Sequence, residues 1–334
     1  MYLIRSRTQL ARARRKGAAT IGNFDGIHRG HRAMLERAAA QQAAREDGLS
    51  VITFEPRPLD YFLGDKAPGR VLPFRDKCLR LSEAGVDQML NLRFDQALAE
   101  MAPEDFVHEF LVEGLGLRYL LVGADFRYGR KRAGDVDSLH AAARRHGFVL
   151  DVMPTVVEGG ERIASTGIRE ALEAGAMDRV TRLLGRPYTI SGRVRRGREL
   201  GRSLGFPTAN LEVPANLAAR DGVWVARVVR GLDSVRDAVA SLGTRPTVGG
   251  QQRLLEVHLL DFEGDLYHRH LEVELRHHLR DEARFPDTES LTEKMHEDLR
   301  RCREWIGRSP ESHSAGRQAD ARSANPTNTQ GVMQ

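Results

Sequence analysis

From residue 18 to about 185, short apolar runs take turns with stretches of helical periodicity. That alternation limits the fold of this chain more than any single motif does. "AATIGNF" (18–24) reads as a buried strand, and "HRAMLERAAAQQAARED" (31–47) then places Met34, Leu35, Ala38 and Ala39 at helical spacing. "LSVITFEP" (49–56) is a second strand stopped by Pro56, "FRDKCLRLSEAG" (74–85) a helix ended by Gly85, and "VDQMLNLRF" (86–94) a third strand. "PEDFVHEFLVEGLG" (103–116) is a helix with Pro103 in its first turn. "LRYLLVGADF" (117–126), "DSLHAAARRHG" (137–147) and "FVLDVMPTV" (148–156) continue the rhythm as strand, helix and strand. An α/β domain follows, with a parallel sheet and helices on both faces. Ligands of such sheets bind outside the carboxyl ends of the strands, where "GNFDGIHRGH" (22–31) lies.

The rhythm changes near residue 187. "RPYTISGRVRRG", "GVWVARVVR", "DAVASLG", "RLLEVHLLDF" and "HLEVELRHHLR" are strand-like and separated by Gly, Asp and Asn turns, the pattern of an antiparallel barrel. A closing helix, "DTESLTEKMHEDLRRCREWIG", starts at a cap at Asp287 or Thr288. After Ser309 the chain is polar and aperiodic, and a disordered tail is expected. With 334 residues to place, the reading is two domains, 1–185 and 186–308, followed by the tail 309–334.

The charge balance excludes little. A net charge of +5 and a pI near 9.4 suit anionic ligands without marking a nucleic-acid binder. Two cysteines, Cys78 and Cys302, make no disulfide framework, so a reducing, cytoplasmic setting is expected. No apolar run spans a bilayer, and the N-terminus has no secretory h-region. Its basic residues (Arg5, Arg7, Arg12, Arg14, Arg15, Lys16) read as a solvated turn or helix.

Three chemistries compete for "GNFDGIHRGH". A zinc site would need further ligands beside His28 and His31, and none stands nearby. A bare turn explains the glycines but not two histidines and an aspartate. Nucleotide chemistry explains all of them: glycines let backbone approach phosphate, a helix start offers free N–H groups, and imidazoles donate to phosphate oxygens. Downstream, "IASTGIREAL" (163–172) places Ser165 and Thr166 at another helix start, with Arg169 on its first turns.

These residues carry a resemblance. "GNFDGIHRGH" resembles the HxGH signature of nucleotidylyltransferases, in the form found in bacterial bifunctional riboflavin kinase/FAD synthetases. "FEPRPLDYF" (54–62), "VGADFRYGRKRAGD" (122–135) and "IASTGIREAL" are similar to that family's later segments, in order. The resemblance implies a Rossmann-like nucleotidylyltransferase domain that transfers adenylyl from ATP to FMN, giving FAD and pyrophosphate. It implies His28 and His31 at the α-phosphate, Ser165, Thr166 and Arg169 on the β/γ-phosphates, and Gly22, Asn23, Phe24, Asp25 and Gly26 shaping the pocket. Two positions depart from the family pattern. Asp125 stands where relatives often have Asn, and an ionised carboxylate cannot donate. Ala164 stands where the family has its first Ser.

"GRELGRSLGFPTANL" (197–211) dominates the second half. Gly197, Gly201 and Gly205 mark a tight loop, and Thr208 and Asn210, two apart in an extended segment, face one way. Both could address one Mg²⁺ or one phosphate. The stretch is similar to the riboflavin kinase signature, and "GVWVARV", "SLGTRPTVGG", "LLEVHLLDFEGDLYHRHLEVEL" and "LRDEARFPD" follow in that module's order. The resemblance implies Glu256 as general base toward the riboflavin 5′-hydroxyl, a metal role for Thr208 and Asn210, and Mg²⁺ with ATP. From the pattern alone, Glu256 could equally share a solvent face with Arg253. Riboflavin, FMN, FAD and ATP are the implied partners, with no nucleic acid and no membrane; sequence leaves the oligomeric state unknown. His268, His270, His277 and His278 read as a solvated strand face rather than a metal site.

A second class of reading joins the nucleotidylyltransferase fold to an RNA-binding module, through the basic N-terminus and "GRVRRGREL" (192–200). No stacking aromatics interleave those charges in sequence. A third, an inactive scaffold, sits poorly with HxGH, STGIR, PTAN and Glu256 occurring together.

Overall fold

The structure is a computed structural model and describes residues 1–13, 16–197, 200–247 and 250–308. Arg14, Arg15 and the expected tail 309–334 lie outside the described residues. The chain divides into two compact units: Met1–Gly192 with Val213–Arg220, and Arg193–Glu212 with Asp221 onward.

The first unit is built on a parallel sheet. Strands β1 (Tyr2–Ile4), β2 (Ala18–Ile21), β3 (Leu49–Glu55), β4 (Gln88–Arg93), β5 (Tyr119–Gly123) and β6 (Val149–Met153) lie in the order β1-β4-β3-β2-β5-β6. All five pairings are parallel. The chain lays β3 and β4 to one side of β2, then returns to place β5 and β6 on the other. The order thus reverses between β2 and β5, and the loops leaving those two strands diverge into a crevice. Both faces of the sheet are apolar. Ala19, Ile21, Ile52, Leu120 and Val122 pack with Phe106, Phe110 and Leu139; Ala18, Val51, Met89 and Leu121 pack with Leu35, Ala38 and Leu81.

Three local expectations change. The N-terminus is not only a solvated basic segment: Tyr2, Leu3 and Ile4 form an edge strand against Gln88, Met89 and Leu90, and Ile4 is fully buried. Three residues are too few to show a period, so the strand is invisible in sequence. The single helix expected over 31–47 starts earlier and is two, Arg29–Ala39 and Gln42–Asp47, and the break brings Ala43 and Ala44 onto the β3 face of the sheet. The helix at Pro103 holds an α-turn only to Phe106 and continues as wider π-type turns over Val107–Gly114.

Beyond β6, a hairpin of β7 (Val157–Glu158) and β8 (Glu161–Arg162) turns through Gly159 and Gly160, both at positive φ. Helices Ser165–Glu173 and Met177–Leu184 follow.

The barrel comprises β9 (Thr189–Arg195), β10 (Ala209–Glu212), β11 (Gly222–Arg230), β12 (Arg236–Thr247), β13 (Gly250–Leu259) and β14 (His270–Arg280), closed in the order β10-β13-β12-β11-β14-β9. Alternation along β11 sends Trp224, Ala226 and Val228 to one buried face, while Val223 and Val225 meet Cys302, Leu299 and Ile306 of the closing helix Thr288–Arg308. Asp287 is its cap, accepting from the Ser290 N–H at 2.8 Å. Arg280 clamps the buried Asp298 of that helix through two nitrogens. The solvated face expected for the histidines holds for the exposed His277, which stacks on Trp305. His278 instead packs edge-on against the buried Trp224.

Candidate functional sites

The turn after β2 is held in a costly shape. Phe24 and Ile27 sit at φ 47° and 45°, and Gly26 at 98°. Left-handed geometry costs of order 1–3 kcal/mol at each non-glycine residue, so the surroundings must enforce it. Asp25 supplies the enforcement. It is almost fully buried, its Oδ1 accepts from the Val71 and Leu72 N–H groups at 2.8 and 3.3 Å, and its Oδ2 accepts from Arg57 at 2.7 Å and Arg169 at 2.8 Å. Arg57 also binds Asp60 through two nitrogens, and Arg70 bridges Asp60 and Glu55. Gly22 and Phe24 pack together at the base of the turn, and Asn23 is exposed.

His28 caps the helix Arg29–Ala39, its Nδ1 accepting from the His31 N–H at 3.3 Å. That bond assigns the neutral ring's proton to Nε2, leaving a donor for a ligand. The His31 ring stacks on His28 at 3.7 Å between centroids, and the tilted Phe24 ring lies 4.8 Å from it. Burial pushes His28 down to about 4, against the attraction of Asp25 and with help from Arg169. Burial, His28 and Lys77 push His31 well below its ordinary value. Both imidazoles are therefore neutral donors near pH 7. Gly30 is the close-approach residue: a Cβ there would lie 3.1 Å from His28 Nδ1 and 3.4 Å from the Ile163 carbonyl.

Ile163 leads into the helix Ser165–Glu173, so the two sequence-distant motifs meet at Gly30. Ser165 Oγ donates to the Asp25 carbonyl at 2.8 Å, and Arg169 reaches Asp25 and the Gly69 carbonyl. Ala164 occupies the cap position and has no side chain to accept from the first turn, whose N–H groups stay available to an anion. Thr166 is exposed on that turn. His28, His31, Asp25, Ser165 and Arg169 thus form one cluster. Asp125 stands apart from it, in an exposed pair with Arg162 at 2.7 Å.

In the second unit, Asn210 of β10 lies opposite Glu256 of β13, which lies opposite Ser241 of β12. Arg245 holds Glu256 Oε2 through Nε at 3.1 Å and Nη2 at 2.9 Å, and donates to Ser241 and Glu282. Glu256 therefore pairs with Arg245; Arg253 pairs with Asp221 instead. Thr208 and Asn210 line one cavity of about 620 Å³ together with Arg196, Arg202, Glu263 and Tyr267. A Cβ on Gly197 would strike Asn210 Nδ2 at 2.4 Å, and one on Gly201 the Phe206 carbonyl at 2.5 Å; Gly205 is at φ 86°. These glycines wrap the loop onto the Thr208–Asn210 segment. Among the described residues no group of three or more His, Cys, Asp or Glu side chains could hold a metal. The hydroxyl and amide oxygens of Thr208 and Asn210 nonetheless fit a hard cation that arrives with phosphates, since Mg²⁺ takes few protein ligands.

A model for FAD synthetase matches residues 10–167, and one for riboflavin kinase matches residues 184–306. The bifunctional riboflavin kinase/FMN adenylyltransferase of Escherichia coli (strain K12) is 42% identical over 308 residues, covering 92% of this chain and 98% of its own length. The chain belongs to that family. Relatives of the same name from Pseudomonas fluorescens and Haemophilus influenzae are 41% and 38% identical, across 91% and 90% of this chain and 97% of each relative. A crystal structure from Streptococcus pneumoniae bearing the name macrolide-efflux protein shares the fold at a TM-score of 0.74. It is 26% identical and covers 91% of this chain and 100% of that one. Among the described residues no helix is long and apolar enough to cross a membrane. Membership in the riboflavin kinase/FMN adenylyltransferase family makes the chain a transferase of flavin-cofactor synthesis with both activities.

Sequence reading did not single out Arg57, Asp60, Arg70 and Lys77. Arg57 and Asp60 lie in "FEPRPLDYF" as an i,i+3 pair of opposite charge. Lys77 stands between Phe74 and Leu81 on the inward stripe of its helix, a core-facing lysine that is itself a signal.

Proposed function

We propose that each unit runs one of the two reactions with the residues located above. In the first, FMN phosphate attacks the α-phosphorus of ATP and pyrophosphate leaves. The attacking group is already an anion, so positioning and charge stabilisation do the work rather than a base. The Nε2–H of His28 and the stacked His31 donate to the α-phosphate as charge builds, and the Ser165–Thr166 helix start with Arg169 receives the β/γ-phosphates. Gly22, Asn23, Phe24, Asp25 and Gly26 shape this pocket, Asp25 from beneath as the anchor of both motifs. Asp125 lies at the mouth of the β5 loop on the nucleotide or flavin side.

In the barrel, Glu256 accepts the proton of the riboflavin 5′-hydroxyl as that oxygen attacks the γ-phosphate. Arg245 holds the carboxylate through two nitrogens and fixes its direction. Thr208 and Asn210 would hold Mg²⁺, which supplies charge neutralisation on the phosphates when bound, and Gly201 and Gly205 bring loop backbone to them. We assign the adenylyltransferase module to 1–185, the kinase module to 186–308, and both to the cytoplasm, without nucleic-acid or membrane partners.

The observation that carries this reading is the junction of two motifs about 140 residues apart, HxGH and STGIR, on one buried aspartate. Purified protein given riboflavin and Mg-ATP should release FMN, then FAD and pyrophosphate, resolved by chromatography. His28→Ala should abolish FAD and spare FMN; Glu256→Ala should block FMN yet still convert supplied FMN to FAD. The opposite outcome sinks the assignment of reactions to units. A salt-dependent RNA shift would instead favour the nucleic-acid reading.

A further inference from the structure

Lys77, in the helix Phe74–Glu83, is 2% exposed, and its ammonium has one long hydrogen bond among the described residues, to Thr53 Oγ1 at 3.4 Å. Three donors with one partner make an expensive way to fill a core, and lysine is almost never fully buried without a paired charge. Thr53, also fully buried, passes its own proton on to the Asn23 carbonyl at 3.3 Å. A buried relay thus runs from Lys77 through Thr53 to the first residues of the strained turn that ends in His28. His31 Nδ1, Asn91 Oδ1 and Glu55 Oε2 are also buried, without hydrogen-bond partners among the described residues.

We propose that Lys77 is a positioning residue for adenylyl transfer, its buried ammonium fixing the Asn23 end of the turn through Thr53 and setting the electrostatic environment beneath the paired imidazoles. This rests on the proposed role of His28 and His31. Lys77 cannot touch substrate at its burial, so it acts only through them. The charges facing the pair are those of Asp25 from the turn, Arg169 from the helix Ser165–Glu173, and Lys77. Glu55, Asp25, Arg57 and Arg70 in turn surround Lys77, whose own proton affinity burial lowers. Burial does most to keep His31 neutral, and removing the lysine's charge takes away the positive charge that adds to it.

Lys77→Met conserves length and removes the charge. A lysine kept for stability would lower the melting temperature on replacement. A poorly paired buried charge leaves it level or raises it. The expected result is an unchanged or higher melting temperature and unchanged riboflavin phosphorylation. The FMN-to-FAD kcat should fall roughly 10- to 100-fold, as expected when a reacting group is displaced by about an ångström. The His31 titration followed by NMR should move to higher pH. Thr53→Val cuts the relay and keeps the charge, so it should lower kcat without moving that titration. Unchanged kcat in Thr53→Val, or unchanged kcat and titration in a folded Lys77→Met, overturns the proposal. Unimpaired FAD formation by His28→Ala would instead overturn the underlying site reading.

Discussion

Burial of His28 in its neutral form ties the stability of the first unit to pH. The ordinary imidazole value of 6.5 falls to about 4 here because the ring is out of water, with only 6% exposed. Between those values the unfolded chain binds a proton that the folded chain refuses, so stability falls as pH drops from 6.5 toward 4. At about 1.36 kcal/mol per pH unit, the drop makes neutral His28 worth roughly 3 kcal/mol above pH 6.5. Roughly 2 kcal/mol of it is lost between pH 7 and pH 5, before most carboxylates titrate. His31 adds a loss of the same sign. Both tryptophans, Trp224 and Trp305, lie in the barrel unit, so their fluorescence in urea reports that unit alone. Pulsed proteolysis in urea, with fragments identified by mass, follows the first unit. The stability of the first unit, read from its urea midpoint, should fall by at least that energy from pH 7 to pH 5. His28→Asn, which keeps a capping side chain, should lose the His28 share of that slope and keep the His31 share. Parallel pH slopes in the two proteins would refute the burial argument.

Two more changes test the local geometry. Gly30→Ala places a methyl 3.1 Å from His28 Nδ1 and should lower FAD formation by roughly ten- to a hundredfold. Riboflavin phosphorylation by the same protein should stay unchanged. Ala164 has cap geometry, φ −145° and ψ 156°, but no acceptor. Ala164→Ser should stabilise the first unit by about 1 kcal/mol, read as a higher urea midpoint.

The parts of the fold that were legible in sequence are those with enough residues to show a period. β2 through β6 and the barrel strands β9, β11, β12, β13 and β14 follow their apolar patterns, and Asp287 and Gly85 begin or end helices as their chemistry requires. β1 was hidden because three residues have no period, and the break after Ala39 because alanine suits either side of it. In the site, HxGH and STGIR were visible as local strings. Their meeting on Asp25 was not, since nothing within ten residues of Asp25 names Arg57, Val71 or Arg169 as its partners. The same holds for Glu256: its strand pattern is equally good for either face, and only the register with Asn210 and the reach of Arg245 decide what it meets.

The strand that carries Asn210 does not end its work in the barrel. Past Glu212 the chain runs on into Val213–Arg220, which belongs to the first unit, where the Arg70 N–H and carbonyl bond Asn216 and Ala218, and the Arg220 N–H reaches the Leu172 carbonyl. Neither unit is therefore a continuous stretch of polypeptide. A single cut after Gly192 leaves the whole second unit on one fragment but takes Val213–Arg220 away from the first, so no single cut yields the first unit whole and by itself. A first half ending at Gly192 would leave Arg70 without those two backbone partners, beside the residues that brace the histidine turn. Truncation is therefore asymmetric: the second unit can be kept whole without Met1–Gly192, but the first cannot be kept whole without the chain that runs on past β10.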